Sequence, residues 1–214
     1  MRSTNSLILI CLVASFLSWA MGSKSVEFFA FSTSNIIYGR FWTVITALFI
    51  HGDLIHLLGN IIFLYVFGNT LESFIGTKRM LATFLIGGIF AFLVSTLFYP
   101  PDIPMIGASA AIFSLAAVSM LVKPLKTSVL FLFMPVGLVA ILYFIFNLFQ
   151  VYYGIFSNIA YISHVIGFLI GIPIGIYWSR DWVKNLIITF LLLLIYFILA
   201  YWLIPMLFIA LNLR

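Results

Sequence analysis

Serine and histidine can share the work of attacking a carbonyl, and this chain sets up such a pair across a long sequence separation. Ser109 lies among small neighbours in GASAAIF (Gly107–Phe113), and His164 is one of only three histidines, the others being His51 and His56. A serine hydroxyl is a weak nucleophile until a base takes its proton, and an imidazole is ready to do so near neutrality. A tetrahedral oxyanion then needs preorganised donors. The amide of Ser109, freed at a helix start, and the side chains of His56 and Asn60 are the candidates. Asn60 follows His56 by four residues, so the two share one helix face, one turn apart. No carboxylate falls within the apolar run that carries Ser109 or the one that carries His164, so the residues predict a dyad rather than a triad.

The elements that carry these groups are readable from composition. The chain is 65% hydrophobic and 7% charged, with a mean hydropathy of +1.28, which predicts an all-α polytopic membrane protein. Ser3–Ser23, Leu54–Leu71, Met80–Pro101 and Ile103–Val122 lack Asp, Glu, Lys and Arg, and each is about long enough to span a bilayer. The uncharged tract between Lys126 and Arg180 divides into two spans at the polar interlude QVYYGIFSN (Gln150–Asn158), and Asn185–Leu213 makes a seventh, which Pro205 is expected to kink or shorten. With seven spans, Arg2, Lys78, Arg79, Lys123, Lys126, Arg180 and Lys184 fall on one side and Lys24, Arg40 and Arg214 on the other, so the N-terminus is expected inside. Ser109, the three histidines and Asn60 then gather toward the outer leaflet. Polar groups in such segments usually face a partner or a wet cavity, so a common site is the expectation.

Small residues suit that convergence. Gly167, Gly171 and Gly175 form a smooth stripe after His164, permitting the sixth span to approach the fourth, where Gly107, Ala108, Ala110 and Ala111 leave room around Ser109. Phe113, one turn below Ser109, is expected to pack on the imidazole. His51, beside Asp53, reads as structural or interfacial, and Glu72, next to Lys78 and Arg79, as a solvated or locally paired charge. The loop from Ser23 to Asp53 is rich in aromatics and is expected to lie in the interface. With YYGIF (Tyr152–Phe156), its VEFFAF segment (Val26–Phe31) would form the lips of a gate. A cleavable signal peptide is the alternative to a first span. Cys11 is the sole cysteine, so no intrachain disulfide can form. Scattered basic residues argue against nucleic acid, the histidine spacing is not that of a zinc hydrolase, and no cofactor is expected.

The stretches GRFWTVITALFIHGDLIHLLGN (Gly39–Asn60), FGNTLESFIGTKR (Phe67–Arg79), GASAAIF and HVIGFLIG (His164–Gly171) occur in an order that resembles the rhomboid intramembrane serine proteases. The resemblance implies a six-helix core over residues 1–180 with an additional C-terminal span over 185–213. It implies Ser109 as nucleophile, His164 as base, His56 and Asn60 as oxyanion stabilisers, and Glu72 with Gly76 as ties at the inner end of the second span. Substrates would be single-pass transmembrane proteins, cut near the extracytoplasmic face. The expected location is the plasma membrane, with the N-terminus cytoplasmic. Two departures stand out: Ala110 replaces a glycine usual in the family, and Phe113 occupies a position where some members carry tyrosine. The first leaves a second reading, an inactive rhomboid-like protein that holds transmembrane clients. A small-solute transporter is the third, disfavoured because no inverted repeat or paired broken helices are present.

Overall fold

The computed structural model describes residues 2–154, 160–203 and 205–206, and these are helical with no strands. Among the described residues six helices are long and apolar enough to cross a membrane: α1 (Ser3–Met21), α5 (Leu54–Ile75), α6 (Thr77–Ser95), α8 (Val136–Tyr153), α9 (Tyr161–Trp178) and a C-terminal helix, α10 (Trp182–Ile198), continued by a π-helical turn to Leu203. Three short helices, α2 (Ser23–Phe29), α3 (Thr33–Ile37) and α4 (Thr43–Thr46), fold the loop between α1 and α5. The π turn at Leu199–Leu203 lies just ahead of Pro205, where a missing N–H and ring bulk disfavour a regular α-helix.

The seventh spanning element departs from expectation. The apolar run from Ile103 to Val122 reads as one span, yet α7 covers only Ser109–Val122, 14 residues. At 1.5 Å per residue that is about 21 Å, well short of a hydrocarbon core of roughly 30 Å. Pro100, Pro101 and Pro104, with Gly107 at φ +107°, keep the preceding segment out of a helix. For the same reason α6 ends at Ser95 and not at Pro101. The consequence is positional, because a short helix can start below the membrane surface.

Around α7 the other helices form a sheath. Every residue from Ser109 to Leu121 is buried, with α9 its most extensive neighbour and α6, α5 and α8 completing the ring. The interhelical surfaces are cut to fit by small residues. A Cβ on Gly167 would collide with the backbone of Ala110, and one on Gly171 would lie 2.6 Å from the Ser114 carbonyl oxygen. Ser114 Oγ donates to the Gly167 carbonyl oxygen at 2.5 Å. Close backbone approach of this kind maximises dispersion contacts where lipid offers no hydrophobic drive.

Two ties hold the periphery. Phe31 and Met105 exchange backbone hydrogen bonds of 3.0 and 2.7 Å, fastening the α2–α4 loop to the segment that leads into Ser109. At the opposite end, the Glu72 carboxylate accepts from the Ser3 and Thr4 amides at 2.8 and 3.0 Å, from Thr4 Oγ at 2.7 Å and from Thr77 Oγ at 2.9 Å. Glu72 is therefore not paired with Lys78 or Arg79 but ties the end of α5 to the start of α1, as the resemblance implies. It caps the first turn of α1, where an anion meets free N–H groups and the positive end of the helix dipole.

Candidate active site

The site begins with the turn into α7. Gly107 takes a positive φ, and its N–H donates to the Ala47 carbonyl oxygen at 2.8 Å. A Cβ there would lie 2.8 Å from both Cε1 and Nε2 of His56, so only glycine lets the ring so close. The next amide, Ala108, points at His51 Nε2 at 3.4 Å. The amides of Ser109 and Ala110 find no acceptor among the described residues. They are the orphan donors of a helix start, aimed outward from its N-terminus.

Ser109 and His164, 55 residues apart, meet directly. Ser109 Oγ lies 2.7 Å from His164 Nε2, and both residues are buried at 8% exposure. The imidazole is held from several sides. Phe113 stacks on it at 4.9 Å and 11°, Tyr161 meets it edge-on at 6.0 Å, and Asn147 Oδ1 lies 2.8 Å from its Nδ1. The aromatic column continues from Phe113 to Tyr143 at 4.2 Å and on to Phe63 at 4.1 Å, so α7, α8 and α5 all contribute rings to it. The expected Phe113 contact is therefore present, and Tyr143 covers its other face.

On α5, Asp53 caps the helix by accepting from the His56 amide at 2.7 Å, an N-cap that fixes where the His56 side chain emerges. The Gly52 N–H approaches His56 Nδ1 at 3.5 Å, which leaves Nε2–H as the donor on the side of Gly107. Asn60 is buried, and its Nδ2 donates to the His56 carbonyl oxygen at 2.9 Å. One hydrogen of that amide remains uncommitted. In the resting geometry neither His56 nor Asn60 bonds to Ser109 or His164.

His51 is closer to the site than a loop-boundary residue need be. It is buried at 1% exposure, packs edge-on against His56 at 5.0 Å, and engages Ser15 Oγ through Nδ1 at 3.0 Å. Trp19 Nε1 donates to its carbonyl oxygen at 2.8 Å. Burial, reinforced by the His56 ring, pushes the imidazole down from 6.5 to about 3, so it stays neutral and accepts from the Ala108 amide at any ordinary pH. It thus ties α1 to the turn before Ser109.

Ala110 is fully accommodated: it is buried at 1% exposure, with its backbone against the bare face of Gly167. Sequence reasoning missed Asn147, which lies in FIFNLFQ and offers no motif. The one signal was an amide within an uncharged spanning tract, a costly placement without a partner. Among the described residues no cluster of three His, Cys, Asp or Glu could hold a metal ion. The second lip of the expected gate lies partly outside the described residues, at 155–156.

A buried hydroxyl bonded to an imidazole, beside free helix amides near one end of a helical bundle, can attack a carbonyl brought to it. The Rhomboid domain family model matches residues 38–181, and the chain belongs to the rhomboid family. It is similar to Rhomboid-like protein 11, chloroplastic, of Arabidopsis thaliana, at 38% identity over 86 residues, 40% of this chain and 31% of the relative. It is similar to Rhomboid-like protease 3 of Toxoplasma gondii, at 28% over 148 residues, 66% of this chain and 53% of the relative. Rhomboid protease GluP of Bacillus subtilis (strain 168) shares 35% over 88 residues, 41% of this chain and 17% of the relative. The chain thus spans about half or less of the length of these curated relatives.

Proposed function

We propose that this multi-pass membrane protein is an intramembrane serine endopeptidase in which Ser109 is the nucleophile and His164 the base. The observation that carries this reading is the 2.7 Å approach of Ser109 Oγ to His164 Nε2. Protease-named relatives support it. Ser109 Oγ attacks the scissile carbonyl carbon as its proton passes to Nε2. The oxyanion is met by the Ser109 amide, His56 Nε2–H and the uncommitted hydrogen of Asn60 Nδ2, the two side chains turning toward it as it forms. The intermediate collapses, Nε2 gives its proton to the leaving amine, and an acyl-enzyme remains. Water, deprotonated by His164, attacks the ester and releases the new carboxyl terminus.

The substrate class is a transmembrane segment with small or helix-weakening residues near the scissile bond, because a helix must unwind locally before its carbonyl is free. Cleavage falls near the extracytoplasmic face of the plasma membrane, with the N-terminus in the cytoplasm, as the distribution of basic residues suggests. The catalytic unit is residues 1–180, and the added span is the C-terminal one expected over 185–213, of which 204 and 207–213 lie outside the described residues. The client-holding reading rests on Ala110, whose methyl finds room without disturbing the Ser109–His164 pair.

The test is cleavage of a generic transmembrane substrate in liposomes, with fluorophosphonate labelling of the purified protein alongside. Wild type should cut and label. Ser109→Ala should lose both, and His164→Ala should lose nearly all turnover. Cleavage that survives both substitutions rejects the dyad, and a wild type that neither cuts nor labels supports the client-holding reading.

A further inference from the structure

We infer that Asn147 is a positioning residue for the Ser109–His164 pair: its carboxamide oxygen holds the imidazole in the Nδ1–H tautomer, so that Nε2 carries the lone pair that takes the serine proton. The inference rests on the protease reading above and adds a third member from a third helix, α8. It follows from a short chain of hydrogen bonds in which each step fixes the next.

The orientation of the Asn147 amide is set by its own helix. Nδ2 donates to the Tyr143 carbonyl oxygen at 2.8 Å, one turn earlier, so the other end of the amide, Oδ1, must face outward from that bond. Oδ1 meets His164 Nδ1 at 2.8 Å. An amide oxygen only accepts, so Nδ1 must carry a hydrogen. A neutral imidazole has one N–H, hence Nε2 is bare, and Nε2 is the atom 2.7 Å from Ser109 Oγ. The hydroxyl therefore donates to Nε2, which is the direction proton abstraction requires. Asn147 is 1% exposed, so water does not compete for Oδ1.

The surroundings explain why an amide serves where soluble triads use a carboxylate. Among the described residues, the groups facing His164 are Ser109 and Phe113 on α7, Asn147 on α8, Tyr161 on its own helix and, acting through space, His56 on α5. Tyr143 lies one ring further, behind Phe113. No Asp, Glu, Lys or Arg is among them. A buried carboxylate in this setting would need a compensating cation that the bundle does not provide, whereas an amide orients the ring at no charge cost. The imidazolium that forms during turnover meets only a dipole, and so readily gives its proton to the leaving amine.

The experiment uses the full chain in liposomes, comparing wild type with Asn147→Leu, which removes the acceptor at similar volume, and Asn147→Asp, which keeps it and adds charge. The readouts are the pH dependence of fluorophosphonate labelling at Ser109, kcat and KM on a transmembrane substrate, and thermal unfolding by circular dichroism. Asn147→Leu should slow labelling by about a hundredfold or more, below the roughly 10⁴-fold loss seen when a triad is locked in the wrong tautomer, because here the ring can still sample both. The loss should fall on kcat, with KM little changed. Asn147→Asp should retain labelling but move the acid limb of its pH profile upward by about one unit or more, since a carboxylate stabilises the imidazolium. A purely structural contact would leave labelling by folded Asn147→Leu at the wild-type rate, whereas a carboxylate at this distance moves that limb by proximity alone.

Wild-type labelling by folded Asn147→Leu would overturn the inference while leaving the protease reading intact. If Asn147→Leu fails to fold, the labelling rate of Asn147→Ser, whose shorter side chain withdraws the acceptor from Nδ1, decides in its place: a loss supports the inference and a wild-type rate overturns it. A wild type that neither labels nor cuts overturns the protease reading, and the positioning role with it.

Discussion

Helices α7 and α10 are both apolar, yet they occupy opposite environments. Every residue of α7 from Ser109 to Leu121 is buried, whereas Thr189 is the only buried residue of α10. Hydrophobicity does not separate them. Size does: α7 presents Ser109, Ala110, Ala111, Ser114, Ala116, Ala117 and Ser119 to its neighbours, while α10 carries Ile187, Phe190, Leu191, Leu194 and Ile195 exposed to lipid. In a bilayer the interior of a bundle is chosen by how closely backbones can approach, and small residues with hydroxyls decide that. The two helices touch at their polar ends, where Asn185 Nδ2 donates to the Leu121 and Val122 carbonyl oxygens at 2.8 and 3.2 Å.

The contrast breaks most severely at the α7–α9 seam. Gly167→Val forces side-chain carbons into the Ala110 backbone, and should destabilise the protein by about 3 kcal/mol or more and abolish cleavage, read by thermal unfolding in detergent and by substrate turnover. Asn185→Ala uncovers the last carbonyls of α7 without touching its small-residue faces. A loss of about 1 kcal/mol is expected, with cleavage retained at temperatures where the protein stays folded.

Ser119 sharpens the comparison from inside α7. Its Oγ is buried with no partner among the described residues, so Ser119→Ala should leave stability unchanged or raise it by up to about 1 kcal/mol in the same unfolding assay. Leu191→Ala, on the exposed face of α10, should change stability by less than about 0.5 kcal/mol. A larger loss at Leu191 than at Gly167 would reverse the assignment of inner and outer helices.

Sequence patterning resolved most of this arrangement. Gaps between charges locate the spans, because charge is too costly to leave in hydrocarbon, and the glycine stripe after His164 foretells the close seam. Ser109 reads correctly as a helix start, but the uncharged run overstated the length of that span because Ile103, Met105 and Ile106 are as apolar as a helix; Pro104 and Gly107 carried the contrary signal. Ser109, His164, Phe113 and Gly167 were legible because their types and spacing imply a meeting. Asn147 was not, since its value depends on the rotation of α8 against α9, which no local pattern encodes. Glu72 was legible as a tie only through the resemblance: from its neighbours it reads as a solvated or locally paired charge, because its nearest cations are close in sequence while its partners Ser3 and Thr4 lie 69 and 68 residues away.

That last separation bears on how the chain enters the bilayer. The leading amides of α1 emerge from the ribosome long before the carboxylate that satisfies them has been synthesised, so the first helix must persist on lipid contact alone until α5 arrives. Glu72 can reach Ser3 and Thr4 only when the two helices run antiparallel with those ends on one side. An α5 threaded in reverse would strand its carboxylate across the membrane from its donors. The cap thereby acts as a check on insertion, closing only on the correctly oriented pair.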